Sequence, residues 1–90
     1  MVNEIDRMIE EMEAVRDAIW DKEKKGGIAA LTCFLLHFIE IFGHSNNVFL
    51  KMFPILTAIK DQIEAEDWEE ATPSVLAVLA KIRQVRDVVL

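Results

Sequence analysis

Residues 28–43 read IAALTCFLLHFIEIFG, and this stretch decides the fold class. Drawn as a helix, it carries apolar side chains over well over half of its circumference, which is typical of a helix buried among other elements. The part from Ile28 to Phe42 is 15 residues long and spans about 22 Å as a helix. A bilayer span needs roughly 20 apolar residues, and His37 and Glu40 interrupt this one. We therefore expect the central helix of a bundle and no membrane span.

The segment before this stretch has the pattern of an amphipathic helix. Its apolar residues recur at spacings of three and four, which is typical of one buried stripe. Asn3 suits an N-cap, and Gly26-Gly27 suits the left-handed position that follows a helix. The sequence therefore predicts helices over 3–25 and 28–43. The residues of the first stripe are Ile5, Met8, Met12, Val15 and Ile19.

Two further helices follow, and prolines complicate both. Apolar residues at helical spacing predict a third helix over 47–66, but Pro54 falls inside it and should kink the helix or divide it there. Thr72 suits the N-cap and Pro73 the first turn of a fourth helix over 73–89. Connections of a few residues imply antiparallel neighbours. We expect an all-α, small antiparallel (up-down) four-helix bundle, formed by residues 1–90 as a single domain.

Composition limits the possible functions. The chain has 90 residues, a formal net charge of −6, 52% hydrophobic residues and one cysteine. A domain of this size buries only about two-thirds of its unfolded surface, so part of this apolar content should need a second chain to cover it. We therefore expect a homo-oligomer, most simply a dimer. The single cysteine and the absence of a secretory pattern favour the cytoplasm, and the negative charge argues against nucleic-acid binding.

One helix face in the central stretch carries four residues of metal-ligand type. Cys33, His37, Glu40 and His44 lie at spacings of four, three and four, and two such residues one turn apart can chelate one ion. The simpler interpretation is that these residues mark the solvent-exposed edge of a helix that is otherwise apolar. Cys33 beside His37 does not suffice for nucleophilic catalysis, because no Asn or Asp is placed to orient the imidazole.

Candidate contact residues lie in the second and third helices. Phe49, Leu50 and Phe53 sit on the flank of the third helix, away from its main apolar stripe, and Leu36 and Phe38 belong to the second helix. Aromatic residues are enriched at the cores of interfaces. Separately, residues 61–72 carry six acids and no base, which could dock a protein partner with a basic surface.

These patterns favour a non-enzymatic protein-interaction or regulatory module that works as a homo-oligomer and has no cofactor. Phosphate-binding glycine loops, zinc-finger spacing and nucleophile motifs are absent from the sequence. The main alternative is a metal- or haem-binding bundle that uses the face of Cys33, His37, Glu40 and His44. A third possibility is a protein that inserts the hairpin Ile28–Ile59 into a membrane surface.

Overall fold

The computed structural model describes residues 4–43 and 47–89, and these residues form a bundle of four α-helices. The helices are α1 (Glu4–Trp20), α2 (Lys24–Phe42), α3 (Asn47–Glu64) and α4 (Trp68–Val89). The predicted all-α four-helix bundle is therefore confirmed. No strand occurs within these two described ranges.

The helices form a ring in which each packs against two others. α1 packs against α2 and α4, and α3 packs against the same two helices from the other side. One hydrophobic core lies between them, with residues from all four helices. The whole predicted stripe of α1, from Ile5 to Ile19, faces this core. Burying each such aliphatic side chain stabilises the fold by roughly 1.5–3 kcal/mol.

Both ends of the first connection differ from the prediction. α1 ends at Trp20 instead of residue 25, because Lys22 takes the left-handed conformation with φ 59°. The N–H of Lys22 donates to the carbonyl of Ile19 at 3.1 Å, and that of Glu23 donates to the carbonyl of Ala18 at 2.7 Å. These two bonds are those of a Schellman motif, so the helix is terminated four residues before the glycine pair.

The glycine pair belongs to the first turns of α2 and does not end α1. Gly27 is buried, and a Cβ placed on it would lie 3.5 Å from the Cβ of Ala18 and 3.6 Å from the side chain of Ile63. These are ordinary van der Waals distances, so α2 packs closely against α1 and α3 at this end of the bundle, and a residue as small as alanine would also fit. The predicted C-cap at Gly43 is present, with φ 72°.

The prolines do not divide the helices. α3 runs from Asn47 to Glu64 as one helix that includes Pro54, so the predicted division into two helices does not occur. A kink at this position stays a prediction. α4 begins at Trp68, and Pro73 lies inside it instead of in its first turn. Asp67 caps the helix by accepting the N–H of Glu70 at 3.4 Å.

The predicted N-cap role of Thr72 is wrong, because α4 begins at Trp68 and Thr72 lies inside the helix. Its hydroxyl donates to the carbonyl of Trp68 at 2.8 Å, four residues back within the helix. The Asp67 cap, together with Glu70 in the first turn, supplies the favourable interaction with the helix N-terminus that the sequence places at Thr72.

Candidate functional site

The metal-ligand face of α2 is not assembled as a site in the described structure. Cys33 and Glu40 are exposed on the outer side of α2, whereas His37 turns toward α1. His44 lies outside the described residues. Among residues 4–43 and 47–89, no group of three or more His, Cys, Asp or Glu side chains could hold a metal ion. Cys33, His37 and Glu40 therefore do not form a metal site with one another or with neighbouring acids.

His37 instead joins α2 to α1 through Glu11. Its Nδ1 lies 2.7 Å from Oε1 and 2.9 Å from Oε2 of Glu11, in a part-buried contact. A charge-assisted hydrogen bond of this kind is stronger than a neutral one when the imidazole is protonated. Sequence reasoning missed Glu11, because its position opposite His37 depends on the register of α1 against α2. The approach of Ala18 to Gly27 in the structure shows which side of α1 faces α2, and the sequence alone does not contain this information.

The predicted contact residues divide into three groups. Phe38 is fully buried in the core, so its assignment to an exposed interface is wrong. The side chain of Phe49 lies outside the described part of the structure. Leu36, Leu50 and Phe53 are exposed, with 60%, 58% and 43% of their surfaces accessible. These three large apolar side chains remain candidates for an interface.

All three residues lie on the neighbouring helices α2 and α3, away from the buried residues of those helices. Gly27 lies close to Ile63, and at the far end only residues 43–46 join α2 to α3. A connection of this length is typical of antiparallel neighbours. In such a pair Leu36 would be level with Pro54, because Leu36 follows Gly27 by nine residues and Pro54 precedes Ile63 by nine. We call these three exposed residues of α2 and α3, Leu36, Leu50 and Phe53, the α2–α3 patch.

The surroundings of the patch are almost free of formal charge. Between residues 28 and 59, only Glu40 and Lys51 belong to the charged types Asp, Glu, Lys and Arg. The outer sides of α1 and α4 differ, because they carry salt bridges such as Arg83–Glu13 at 3.3 Å and Arg86–Asp6 at 3.5 Å. The α2–α3 side is therefore the apolar, weakly charged side of the bundle, and contiguous surfaces of that kind mark interaction sites.

α2 also meets the length and composition criteria for a membrane helix. Its mean hydropathy is 1.5, and 22% of the apolar window is buried inside the bundle. The core helices of water-soluble bundles meet the same criteria, and α2 contributes Leu31, Phe34 and Phe38 to the common core. The exposed side of α2 is wider than the expected polar strip, because it also includes Ala29 and Leu36.

No protein-family model matches the sequence, and neither a curated protein nor a solved structure matches the chain.

Proposed function

We propose that this chain is a non-enzymatic protein-interaction module that self-associates through the α2–α3 patch. The observation that carries the proposal is the exposure of Leu36, Leu50 and Phe53 on the neighbouring helices α2 and α3, within residues 28–59, which hold almost no formal charge. Apolar side chains on a weakly charged surface gain free energy when a second surface covers them. A second copy of the same chain provides such a surface.

The energetics require more than the three large side chains. Each is about half exposed, so covering one contributes roughly 1 kcal/mol. A two-fold dimer covers six such side chains, roughly 6 kcal/mol in all, and association costs at least about 4 kcal/mol in lost translational and rotational freedom, which offsets most of that gain. The interface must therefore include the neighbouring exposed residues Ala29 and Cys33 of α2. We expect an affinity in the micromolar range, about −8 kcal/mol.

Two-fold symmetry suits this side of the molecule. In a two-fold dimer the same patch is used by both copies, so it must be compatible with itself. Two patches with few charges face each other without the repulsion that like charges would cause. The small side chains of Ala29 and Cys33 on the outer side of α2 allow two α2 helices to approach closely. We therefore place α2 at the symmetry axis, with Leu50 and Phe53 beside it.

Cys33 provides a direct test, because it is the only cysteine in the chain and every thiol cross-link is therefore between two chains. A short bifunctional maleimide should convert most of the protein to a covalent dimer at low micromolar concentration. The substitution Leu36→Glu places a charge in the patch without touching Cys33, and it should abolish this cross-linking.

The matched control moves the thiol to another face of the bundle. A variant with Cys33→Ser and Ala14→Cys presents its thiol on the exposed side of α1, and it should cross-link poorly under the same conditions. Equal cross-linking from positions 33 and 14, or undiminished cross-linking of Leu36→Glu, would show that the contact is random collision and would contradict the proposal.

A further inference from the structure

Trp20 is the most exposed large apolar side chain in the described part of the chain, with 83% of its surface accessible. Trp68 is half-buried at the start of α4. The two rings line a groove between the end of α1 and the start of α4, together with Ile19, Lys22, Glu69 and Thr72. We call it the tryptophan groove. Its volume is about 250 Å³, which is below the range of sites for drug-sized ligands and suits a side chain.

Both tryptophans are held by well-defined helix ends. Trp20 is the last residue of α1, directly before the Schellman turn at Lys22. Trp68 is the first residue of α4, after the Asp67 cap, and its carbonyl accepts the hydroxyl of Thr72 at 2.8 Å. The side chain of Trp68 also packs against the core. The backbone at both positions and the ring of Trp68 are therefore preorganised, which lowers the entropy lost on binding.

Acidic residues dominate on the side of the groove that residues 61–70 form, whereas residues 21–25 hold two acids and three lysines. Residues 61–70 hold six acids and no base, and all six acids are exposed. Glu69 lines the groove, and Asp21 follows Trp20 directly. Glu64 pairs with Lys60 at 3.8 Å. Within the described residues 4–43 and 47–89, no salt bridge is formed by Glu66, Asp67, Glu69 or Glu70. Lys22 is the one basic residue that lines the groove.

We propose that the tryptophan groove binds a basic helical segment of another protein, with an arginine side chain seated against Trp20 and Trp68. Guanidinium groups stack on indole rings through cation–π attraction. The acids of residues 61–70 attract such a segment and orient it as it approaches. Tryptophan is also among the residues that most often dominate binding at interfaces.

A second copy of this chain is a poor occupant of the groove. The chain has a net charge of −6, and two copies meeting at the acidic end would repel each other. The arginines of α4 are also engaged within the chain, since Arg83 pairs with Glu13 and Arg86 with Asp6. The occupant is therefore a different, basic protein. The groove lies between α1 and α4, so this inference does not depend on the α2–α3 patch.

The two tryptophans of the chain both line the groove, so intrinsic fluorescence reports its occupation. The probe is a synthetic amphipathic helix of leucine, alanine and arginine, labelled with a dye for anisotropy measurements. We expect saturable binding, a shift in tryptophan emission and an affinity that falls as salt is added. The matched control peptide has citrulline in place of every arginine, which keeps the shape and removes the charge, and it should bind at least tenfold more weakly.

Variants of the chain locate the binding. Trp20→Ala should weaken the arginine peptide at least tenfold, and its high exposure makes loss of folding a minor concern. Glu69→Gln should weaken binding severalfold, whereas Leu36→Glu, on the α2–α3 patch, should leave the affinity unchanged. Equal affinity for the arginine and citrulline peptides would overturn the proposal. So would a Trp20→Ala variant that binds within twofold of the parent, or weakening by Leu36→Glu to the extent seen for Trp20→Ala.

Discussion

Two residues other than glycine terminate helices in the left-handed conformation. Lys22 has φ 59° and Glu66 has φ 58°, and each stands at the C′ position of a Schellman motif. Glycine is the usual residue at this position, which is why the sequence directs attention to Gly26-Gly27 instead. The sequence could not reveal the true end of α1, because no residue type at position 22 or 66 marks it.

Replacing either residue by glycine should stabilise the fold. A residue with a side chain in the left-handed region destabilises the folded state by roughly 1–2 kcal/mol. Glycine removes this strain, but its greater backbone entropy stabilises the unfolded state and so reduces the net gain. We expect Lys22→Gly and Glu66→Gly each to raise the free energy of unfolding by about 0.5–1 kcal/mol in denaturant titrations. The control Ala14→Gly, on the exposed middle of α1, should lower it by about 1 kcal/mol. A loss at position 22 similar to the loss at position 14 would contradict the assigned turn.

Gly27 and Gly43 should respond differently to substitution. A Cβ on Gly27 would make ordinary van der Waals contacts with Ala18 and Ile63, so Gly27→Ala should be neutral or stabilising by up to about 1 kcal/mol. Gly27→Leu overfills the contact and should cost about 1–3 kcal/mol. Gly43 has open space around it but a φ of 72°, so Gly43→Ala should destabilise the protein through backbone strain alone. Thermal or chemical unfolding of the three variants would check this order.

At the scale of the helices, α3 shows tertiary packing overriding a local preference. Proline in a helix interior costs about 3 kcal/mol relative to alanine, and on that basis the sequence predicts a kink or a division at Pro54. The buried stripe of α3 contributes roughly 1.5–3 kcal/mol for each of its four residues, which exceeds the cost of the proline. The balance between these terms depends on contacts with α2 and α4, which the pattern of α3 alone does not contain. The four residues are Met52, Leu56, Ile59 and Ile63.

Removing the proline should therefore strengthen α3. Pro54 is exposed, so Pro54→Ala loses little packing and restores one backbone hydrogen bond. We expect an increase of about 1–3 kcal/mol in the free energy of unfolding, measured with urea. Ala58 is exposed on the same helix one turn later, and Ala58→Pro is the matched control, with an expected loss of about 3 kcal/mol or more. An unchanged free energy of unfolding for Pro54→Ala would show that Pro54 does not destabilise α3 and would contradict this prediction.

The contact between α1 and α2 can be measured by a double-mutant cycle. Glu11 and His37 meet at 2.7 Å between these helices, and both side chains are only partly accessible. We expect a coupling free energy of about 0.5–1.5 kcal/mol between Glu11→Ala and His37→Ala. The pair Glu10 and His37 is the control, because Glu10 occupies the preceding position of α1, is exposed and should give a coupling near zero. Equal coupling free energies in the two cycles would contradict the contact between Glu11 and His37.

At the scale of the whole molecule, the sequence predicts which helices carry exposed apolar residues, but it does not identify every one of those residues correctly. Leu36, Leu50 and Phe53 were predictable, because they lie off the main apolar stripes. The assignment of Phe38 is wrong because α2 is apolar over more than half of its circumference, and its narrow polar strip does not show which of the remaining apolar residues face the core. The structure places Phe38 above Phe34, with ring centroids 5.8 Å apart, on the side that α1 and α3 cover. The register between helices, which no single helix pattern contains, decides this distinction.

The most direct test of self-association through the α2–α3 patch is sedimentation equilibrium of the unmodified chain beside the double variant Leu36→Glu/Phe53→Glu. At about 100 µM, well above a micromolar dissociation constant, the unmodified chain should sediment at twice its 10.3 kDa mass. The double variant should sediment as a monomer with unchanged helical circular dichroism. A monomeric mass for the unmodified chain at that concentration, or a dimeric mass for the folded double variant, would contradict the proposal.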